Sequence, residues 1–540
     1  MEKIASRSQN IIEINRPDIE KPIYDADGNQ IDVAYAPSHG TVEINNEIDG
    51  NIVVLHDGTL KLGSHTYTAA ESEILAGQTG VGHFTNNSYF EINGGNITLQ
   101  DGAVHNHHLG NVGLFSDINL SIDADFANMK LDTITANDFY NPDNHSINID
   151  NITILAPTEE QNFTLSVLGE GMNEDVQSSL AQSINYTGGE VVYSPIYKYA
   201  ATYNKSTGSL SFEKTTFNPS IQSSSVAAQL GGVATQVATF NEAFHNMDMF
   251  MTRDVNERFM SKHANSYASS YSQGMLYDNA ITRRENREGW LRPYFTYEEV
   301  DLDNGPEVKN MAYGSYFGTN SPIRYIKDGW EGAWGVYLGY NGSRQKYGNT
   351  TVYQNGGTLG LVGELYKGNF FTGLTLSTGA SAGKADTMFG TDDFTMLSAG
   401  VASKSGYNFE FKDGKFIIQP TLLLGYSFVH TFDYTTSSGV KMSADPLHSI
   451  QVEPGLRFIG NLGNGWRPYA GVSFVMNFMD KAKFKANDTA LPETSINPYV
   501  KYGVGLQKTY NDRVSSFAQV YITQGGRNGI GAQAGLSVVY

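Results

Sequence analysis

Cysteine is absent from this 540-residue chain, which excludes disulfide frameworks, thiol catalysis and thiolate metal sites. Long hydrophobic runs are missing too. No stretch reaches the roughly 18 consecutive apolar residues that a membrane-spanning helix needs, because Gly, Gln or Pro interrupts every candidate. A helix bundle in an inner membrane is therefore excluded. A barrel stays open, since its strands need only about 9–11 alternating residues. Basic residues are in short supply: 36 Lys and Arg stand against 56 Asp and Glu, a net charge of −20. Nucleic acid is not expected as a partner, because phosphate binding wants a basic face. The opening residues, Met1-Glu2-Lys3-Ile4-Ala5-Ser6-Arg7-Ser8, lack the apolar core of a secretory leader. For an exported chain, that start implies a leader already removed or a beginning inside a longer protein.

What the chain has in abundance is Gly (57), Tyr (32) and Phe (28). Gly suits crowded strand crossings and small lumen-facing positions, and Tyr and Phe suit interfacial aromatic girdles. The C-terminal half also alternates. Tyr540, Val538, Leu536, Ala534, Ala532 and Ile530 are all apolar, and Val539, Ser537, Gly535, Gln533, Gly531 and Gly529 lie between them. Period 2 over such a length puts one face in lipid and the other in a lumen. The pattern recurs at Val500–Leu506, at Ala470–Phe478, at Phe416–Phe428 and at Trp334–Tyr340. Turn signals such as Lys412-Asp413-Gly414-Lys415 and Gly463-Asn464-Gly465 separate the segments. About twelve segments fit between Trp290 and Tyr540, and an even number with both ends at one rim is the outer-membrane pattern.

Four passages make the likeness more specific. They are Trp290-Leu291-Arg292-Pro293-Tyr294; Tyr407–Phe411 leading into Ile418-Gln419-Pro420; Pro454-Gly455-Leu456-Arg457 before Trp466–Gly471; and the alternating last strand. In their order and spacing, residues 290–540 resemble the translocator domain of monomeric (type Va) autotransporters. That family usually ends in Phe, and this chain ends in Tyr540. The resemblance implies a barrel-assembly signal at Tyr540, Val538, Leu536, Ala534 and Ala532, read by the barrel assembly machinery. It also implies a helix inside the pore just before the first strand, for which Ser266–Glu288 match best by position. A helix of about 10–12 Å diameter would largely fill such a barrel. Some members cut themselves at an Asn-Asn pair in this helix. No such pair occurs between Ser220 and Trp290, so cleavage by that route is not expected.

Upstream, Val226, Leu230, Val233, Val237, Phe240, Phe244, Met247 and Met251 form a stripe at helical spacing, which predicts an amphipathic helix. Heptad spacing raises a trimeric coiled-coil alternative. A chain with a complete barrel of its own disfavours it. Residues 1–218 read as short strands with Asn, Asp and Gly corners. Asn51–Gly58 is echoed by Asn96–Gly102, and Asn119–Ile122, Asn148-Ile149 and Asn151–Ile154 follow. Recurrence at about 20–25 residues suits a parallel β-helix, with a soluble β-sandwich as the alternative. Residues of about 146–214 stand where autotransporter passengers keep a membrane-proximal cap.

Candidate chemistry is thin. Gly379-Ala380-Ser381-Ala382-Gly383 spells a nucleophile elbow, but it is expected to end a barrel strand. Gly529–Ala534 imitates a dinucleotide fingerprint with no helix to follow. His105, His107 and His108 are read as a surface loop with no third metal ligand to complete the pair on one face. Asp123, Asp125 and Asp132 are read as carboxylates turned to water.

The expected fold class is all-β with a helical connector: a parallel β-helix-like passenger (1–218), a linker partly inside the pore (219–289) and a ~12-stranded antiparallel transmembrane β-barrel (290–540). The expected function is outer-membrane export and display of an adhesin-like or structural passenger by type V secretion. The chain is expected to be a monomer in outer-membrane lipid, with no enzyme activity and no catalytic, cofactor or metal residues. The alternatives are a porin-like channel with a periplasmic N-terminal domain, and a surface-anchored hydrolase.

Overall fold

Period-2 patterning builds both halves of the computed structural model, which describes residues 11–14, 20–24, 30–35, 40–66, 78–158, 160–237, 286–412, 414–511 and 513–540. They divide into two units, residues 1–218 and 219–540. Among the described residues no helix is long and apolar enough to cross a membrane.

In the N-terminal unit the chain alternates between two parallel sheets. One holds Ile52–Leu55, His83–Ile92 and Asn106–Leu114; the other holds Thr59–Leu62, Asn96–Thr98, Ile118–Asp125 and Ile147–Ala156. Register stacks like on like. Leu60, Ile97, Leu120 and Ile149 form one buried column, and Val53, Phe90 and Val112 form another. Beside the first column runs Thr59–Asn96–Asn119–Asn148–Asn185, where Asn119 Nδ2 donates to Asn96 Oδ1 at 3.0 Å. Stacked amides of this kind bond from rung to rung. The echo of Asn51 with Asn96 is a false register: Ile52 pairs with Tyr89, in the other sheet.

Parallel stacking stops at an antiparallel sheet of Asn162–Ser166, Ser209–Phe217, Tyr197–Asn204 and Val191–Tyr193. Phe126, Phe163, Tyr199 and Phe212 cluster beneath it, with ring centroids 4.8–5.7 Å apart. Covering the end of a stack removes an open edge that would otherwise recruit other strands.

The C-terminal unit is a closed antiparallel barrel of twelve strands. They are Glu288–Asp303, Glu307–Asn320, Trp330–Tyr347, Thr350–Lys367, Phe370–Thr387, Gly390–Tyr407, Phe416–Thr431, Leu447–Gly460, Trp466–Phe478, Tyr499–Thr509, Val514–Gly525 and Arg527–Val539. First and last strands pair from Glu288↔Val539 to Val300↔Arg527, with a break at Arg292-Pro293. Proline has no N–H to give the ladder there. Outward positions are apolar and exposed, as at Leu338, Leu359, Leu374, Leu424, Val504 and Leu536. On the inward face, aromatic rings lie flat over glycines of the next strand: Tyr316 covers Gly339 and Tyr337 covers Gly360. A side chain at either glycine would collide with the ring, so Gly and Tyr are abundant together.

The two rims differ. Residues 432–446 and 479–498 form long loops on one rim, partly folded into a small sheet of Tyr434–Thr435, Lys441–Ala444, Phe484–Ala486 and Thr489–Ala490. The other rim has short turns such as 368–369 and 461–465 and carries both ends of the barrel sequence. Long loops outside and short turns inside are the outer-membrane arrangement.

Candidate functional site

The lumen is occupied by a helix, Ser223–Gln236, preceded by a short turn of 3-10 helix at Pro219–Gln222. The helix falls within the 219–289 linker that sequence reasoning put partly inside the pore, upstream of the segment that matched best by position. Of the expected pore segment, residues 266–285 lie outside the described residues, and Glu288 already opens the first strand. The stripe was half right. Val226, Leu230 and Val233 are buried, but so are Ser223, Ser224, Ser225, Gln229, Thr235 and Gln236. A barrel interior is polar, so this helix needs no solvent face. The stripe beyond Val237 lies outside the described residues.

Its polar side chains meet the wall at successive depths. At the long-loop rim, Thr350 Oγ1 donates to Ser220 Oγ at 3.0 Å and Gln222 Nε2 reaches Asn304 O at 3.4 Å. Ser225 and Thr494 hydroxyls are 2.9 Å apart. Gln229 Nε2 donates to two loop carbonyls, Asp480 O at 2.7 Å and Thr494 O at 2.5 Å. Asp480 Oδ2 in turn accepts Ile496 N at 3.1 Å, tying the loop's two ends together. Burial pushes the Asp480 carboxyl above its ordinary value. Deeper in, Gln236 Nε2 faces Ser427, Ser449 and Asn477 at 3.3–3.5 Å.

Beside Val237 lies a cavity of about 170 Å³, whose lining includes Tyr294, Lys404, Glu453, Arg457, Lys501 and Arg527. Ion pairs brace its wall. Arg527 grips Glu298 with contacts of 2.7–3.0 Å, and Lys501 Nζ lies 2.8 Å from Glu453 Oε1. Glu298 also accepts Asn310 Nδ2 and Glu453 accepts Ser473 Oγ, at 2.9 and 2.7 Å. Buried pairs with their remaining lone pairs bonded hold geometry well, and losing one partner costs about 3–5 kcal/mol. The arrangement can hold the shape of the barrel wall around the helix; among the described residues that line it, no nucleophile and base are brought together. Ser381 stands within the continuous strand Phe370–Thr387, not at its end, and accepts from Gln354 Nε2 at 3.2 Å.

On the final strand, Ala532, Ala534, Leu536, Val538 and Tyr540 are all exposed on the outer face. Tyr540 closes the seam: its N donates to Arg287 O at 2.9 Å and its hydroxyl lies 3.0 Å from Thr319 Oγ1. At the start of the barrel, Arg292 stacks 4.0 Å over the Trp290 ring.

The N-terminal side-chain clusters depart from expectation. His107 and His108 lie in the strand Asn106–Leu114, not in a loop. His107 is fully buried with Nδ1 2.9 Å from Gly82 O, while His108 faces Thr135 and Asn86. The rings of His105 and His107 meet edge-on at 6.1 Å, while His108 bonds elsewhere, so the three do not form one ligand set. Asp123 and Asp132 are buried, not turned to water. Asp123 Oδ2 accepts the N–H groups of Asp101 and Gly102 at 3.0 and 2.8 Å, and Asp132 accepts those of His105 and Asp123 at 2.8 and 2.7 Å. Their work is to satisfy a corner's backbone donors. Asp125 caps a local turn through Asn128.

A family model described as the autotransporter β-domain matches residues 289–521. Among solved structures, the chain is similar to the β-domain of the Bordetella autotransporter BrkA at 18% identity and TM-score 0.40, covering 47% of this chain and 100% of that one. It is similar to the transport unit of AIDA-I from Escherichia coli at 14% identity and TM-score 0.41, covering 50% and 97%. The translocator domain of NalP from Neisseria meningitidis gives 9% identity and TM-score 0.40, covering 52% and 99%. No curated protein matches this chain.

Proposed function

The C-terminal domain of this chain belongs to the autotransporter β-domain family and sits in the outer membrane, and from that premise we propose that it holds residues 1–218 at the cell surface as the passenger of type V secretion. The observation that carries this reading is the direction of the lumen helix. Ser220 stands at the long-loop rim, Gln236 lies deep in the lumen, and the first strand starts at the opposite rim. A chain so threaded enters the barrel from outside, as an exported passenger's tether must. The barrel closes within one chain, so no second subunit is needed.

The passenger is adhesin-like or structural. Its regular stacked rungs, its end-covering sheet and the use of its acidic residues on backbone amides support a rigid display element over an enzyme. The outward residues Ala532, Ala534, Leu536, Val538 and Tyr540 are the strand that the barrel assembly machinery reads. A porin-like channel is the weaker reading, because a helix bonded to the wall at several depths obstructs the passage. Protease shaving of intact cells is the test: residues 1–218 should be lost while the barrel survives. Protection of residues 1–218 until the outer membrane is permeabilised would place them in the periplasm and reject the proposal.

A further inference from the structure

On the lipid-facing side of the barrel, two strands change chemistry abruptly at the rim that carries the ends of the barrel sequence. Along Thr350–Lys367 the outward positions run Leu359, Leu361, Gly363, Leu365 and then Lys367; along Tyr499–Thr509 they run Tyr502, Val504, Leu506 and then Lys508. Each ammonium stands over a tryptophan of the adjoining strand. Lys367 Nζ is 5.5 Å from the centroid of Trp330, and Lys508 Nζ is 4.5 Å from that of Trp466. A second ring flanks each pair: Phe370 meets Trp330 edge-on at 6.0 Å, and Tyr510 lies 6.0 Å from Lys508 Nζ. Lys508 Nζ also donates to Asn464 O at 2.6 Å. Among the described residues no carboxylate pairs with either lysine. The first strand ends differently at the other rim, where Glu299, Asp301 and Asp303 follow Phe295 and Tyr297 on the outward face.

The stem of a lysine placed one step below an apolar band lies along that band, while its ammonium reaches the headgroup level. Tryptophan settles at the same level, and its ring face holds a cation. The same arrangement occurs twice, on separate pairs of strands. Basic groups at this depth attract lipid phosphate, and anionic headgroups most of all.

We propose that Lys367 with Trp330, and Lys508 with Trp466, are two clamps for the phosphodiester groups of anionic phospholipid in the leaflet at this rim. Naming that leaflet periplasmic rests on the orientation proposed above; the lipid chemistry does not.

The full-length protein is reconstituted in neutral phosphatidylcholine vesicles and in vesicles where phosphatidylglycerol replaces part of the lipid. The unfolding midpoint is read from loss of the heat-modifiable band. Phosphatidylglycerol should raise the wild-type midpoint, and high salt should shrink the rise by screening. The double variant K367Q/K508Q should lose most of the rise, whereas K367R/K508R should keep it. An equal rise in wild type and the Gln variant overturns the proposal, and so does no rise in wild type. If the Gln variant does not insert, native mass spectrometry of detergent-solubilised wild type decides. Preferential retention of phosphatidylglycerol over phosphatidylcholine supports the clamps, and equal retention overturns them. A reversed orientation would change the shaving result and leave these lipid responses intact.

Discussion

Burial holds the Asp132 carboxyl up at about 7, although both its oxygens accept backbone N–H groups. The folded unit therefore binds this proton more tightly than the unfolded chain does. The associated stability is fully present below the ordinary carboxyl range near about 4 and is lost as pH rises through about 7, at no more than ~1.4 kcal/mol per pH unit. Burial raises Asp123 in the same sense. Pulse proteolysis of the full chain should find residues 101–132 more resistant at pH 5 than at pH 8, and Asp132→Asn should flatten the difference while costing about 1–3 kcal/mol through an unmatched amide donor. No pH response in wild type would show that the carboxyl titrates normally. Alternation along the strand suggested that these aspartates face water, because sequence periodicity carries no sign of backbone donors arriving from a distant corner. On the last strand, alternation and side-chain direction coincide. Leu536→Arg should cost about 2–4 kcal/mol if it meets lipid near the midplane, while Gln533→Arg, on the lumen side beside Gln519, should be mild. Urea midpoints in vesicles would show the contrast, and equal tolerance would contradict it.

At the scale of elements, the helix Ser223–Gln236 is both cork and tether. Deleting it should widen single-channel conductance in planar bilayers, and unchanged conductance would mean that other residues block the lumen. Gln229→Leu is a finer probe. It strips the carbonyls of Asp480 and Thr494 of their shared donor, a loss of about 1–3 kcal/mol, so current should flicker as the 479–498 loop loosens. A steady trace identical to wild type would leave Gln229 without a holding role. The helix itself was legible from Val226, Leu230 and Val233. Its role was not, because a stripe of apolar residues implies a wet opposite face, and nothing in Ser223–Ser225 or Gln236 announces that a polar wall will surround them. The stacked strands were legible from Asn96, Asn119 and Asn148. Asn51 misled, since an Asn-Ile pair looks alike in either sheet.

At the scale of the whole molecule, twelve alternating segments and their turns were readable because lipid on one side and a lumen on the other leave period 2 nearly undisturbed. The antiparallel sheet at 162–217 carried a weaker trace, its aromatics being spread over distant segments that only the fold assembles. Assembly should depend on the final strand. Tyr540→Asp removes the hydroxyl contact to Thr319 and the terminal aromatic, so heat-modifiable barrel on cold gels should fall and periplasmic degradation rise; normal yields would make that strand structural alone. The breaks in pairing at Pro293 and Pro454 have a mechanical consequence. A ring of twelve hydrogen-bonded joints is as strong as its least-stitched joint. The joint between Leu447–Gly460 and Trp466–Phe478 skips Glu453 and Pro454 and holds eight residue pairs, against eleven between first and last strands. Under tension the hoop should part at Pro454 first. The joint at Pro293, bordered outside by Phe295 and Ala532–Ala534, is instead where a newly made barrel would be sewn shut last.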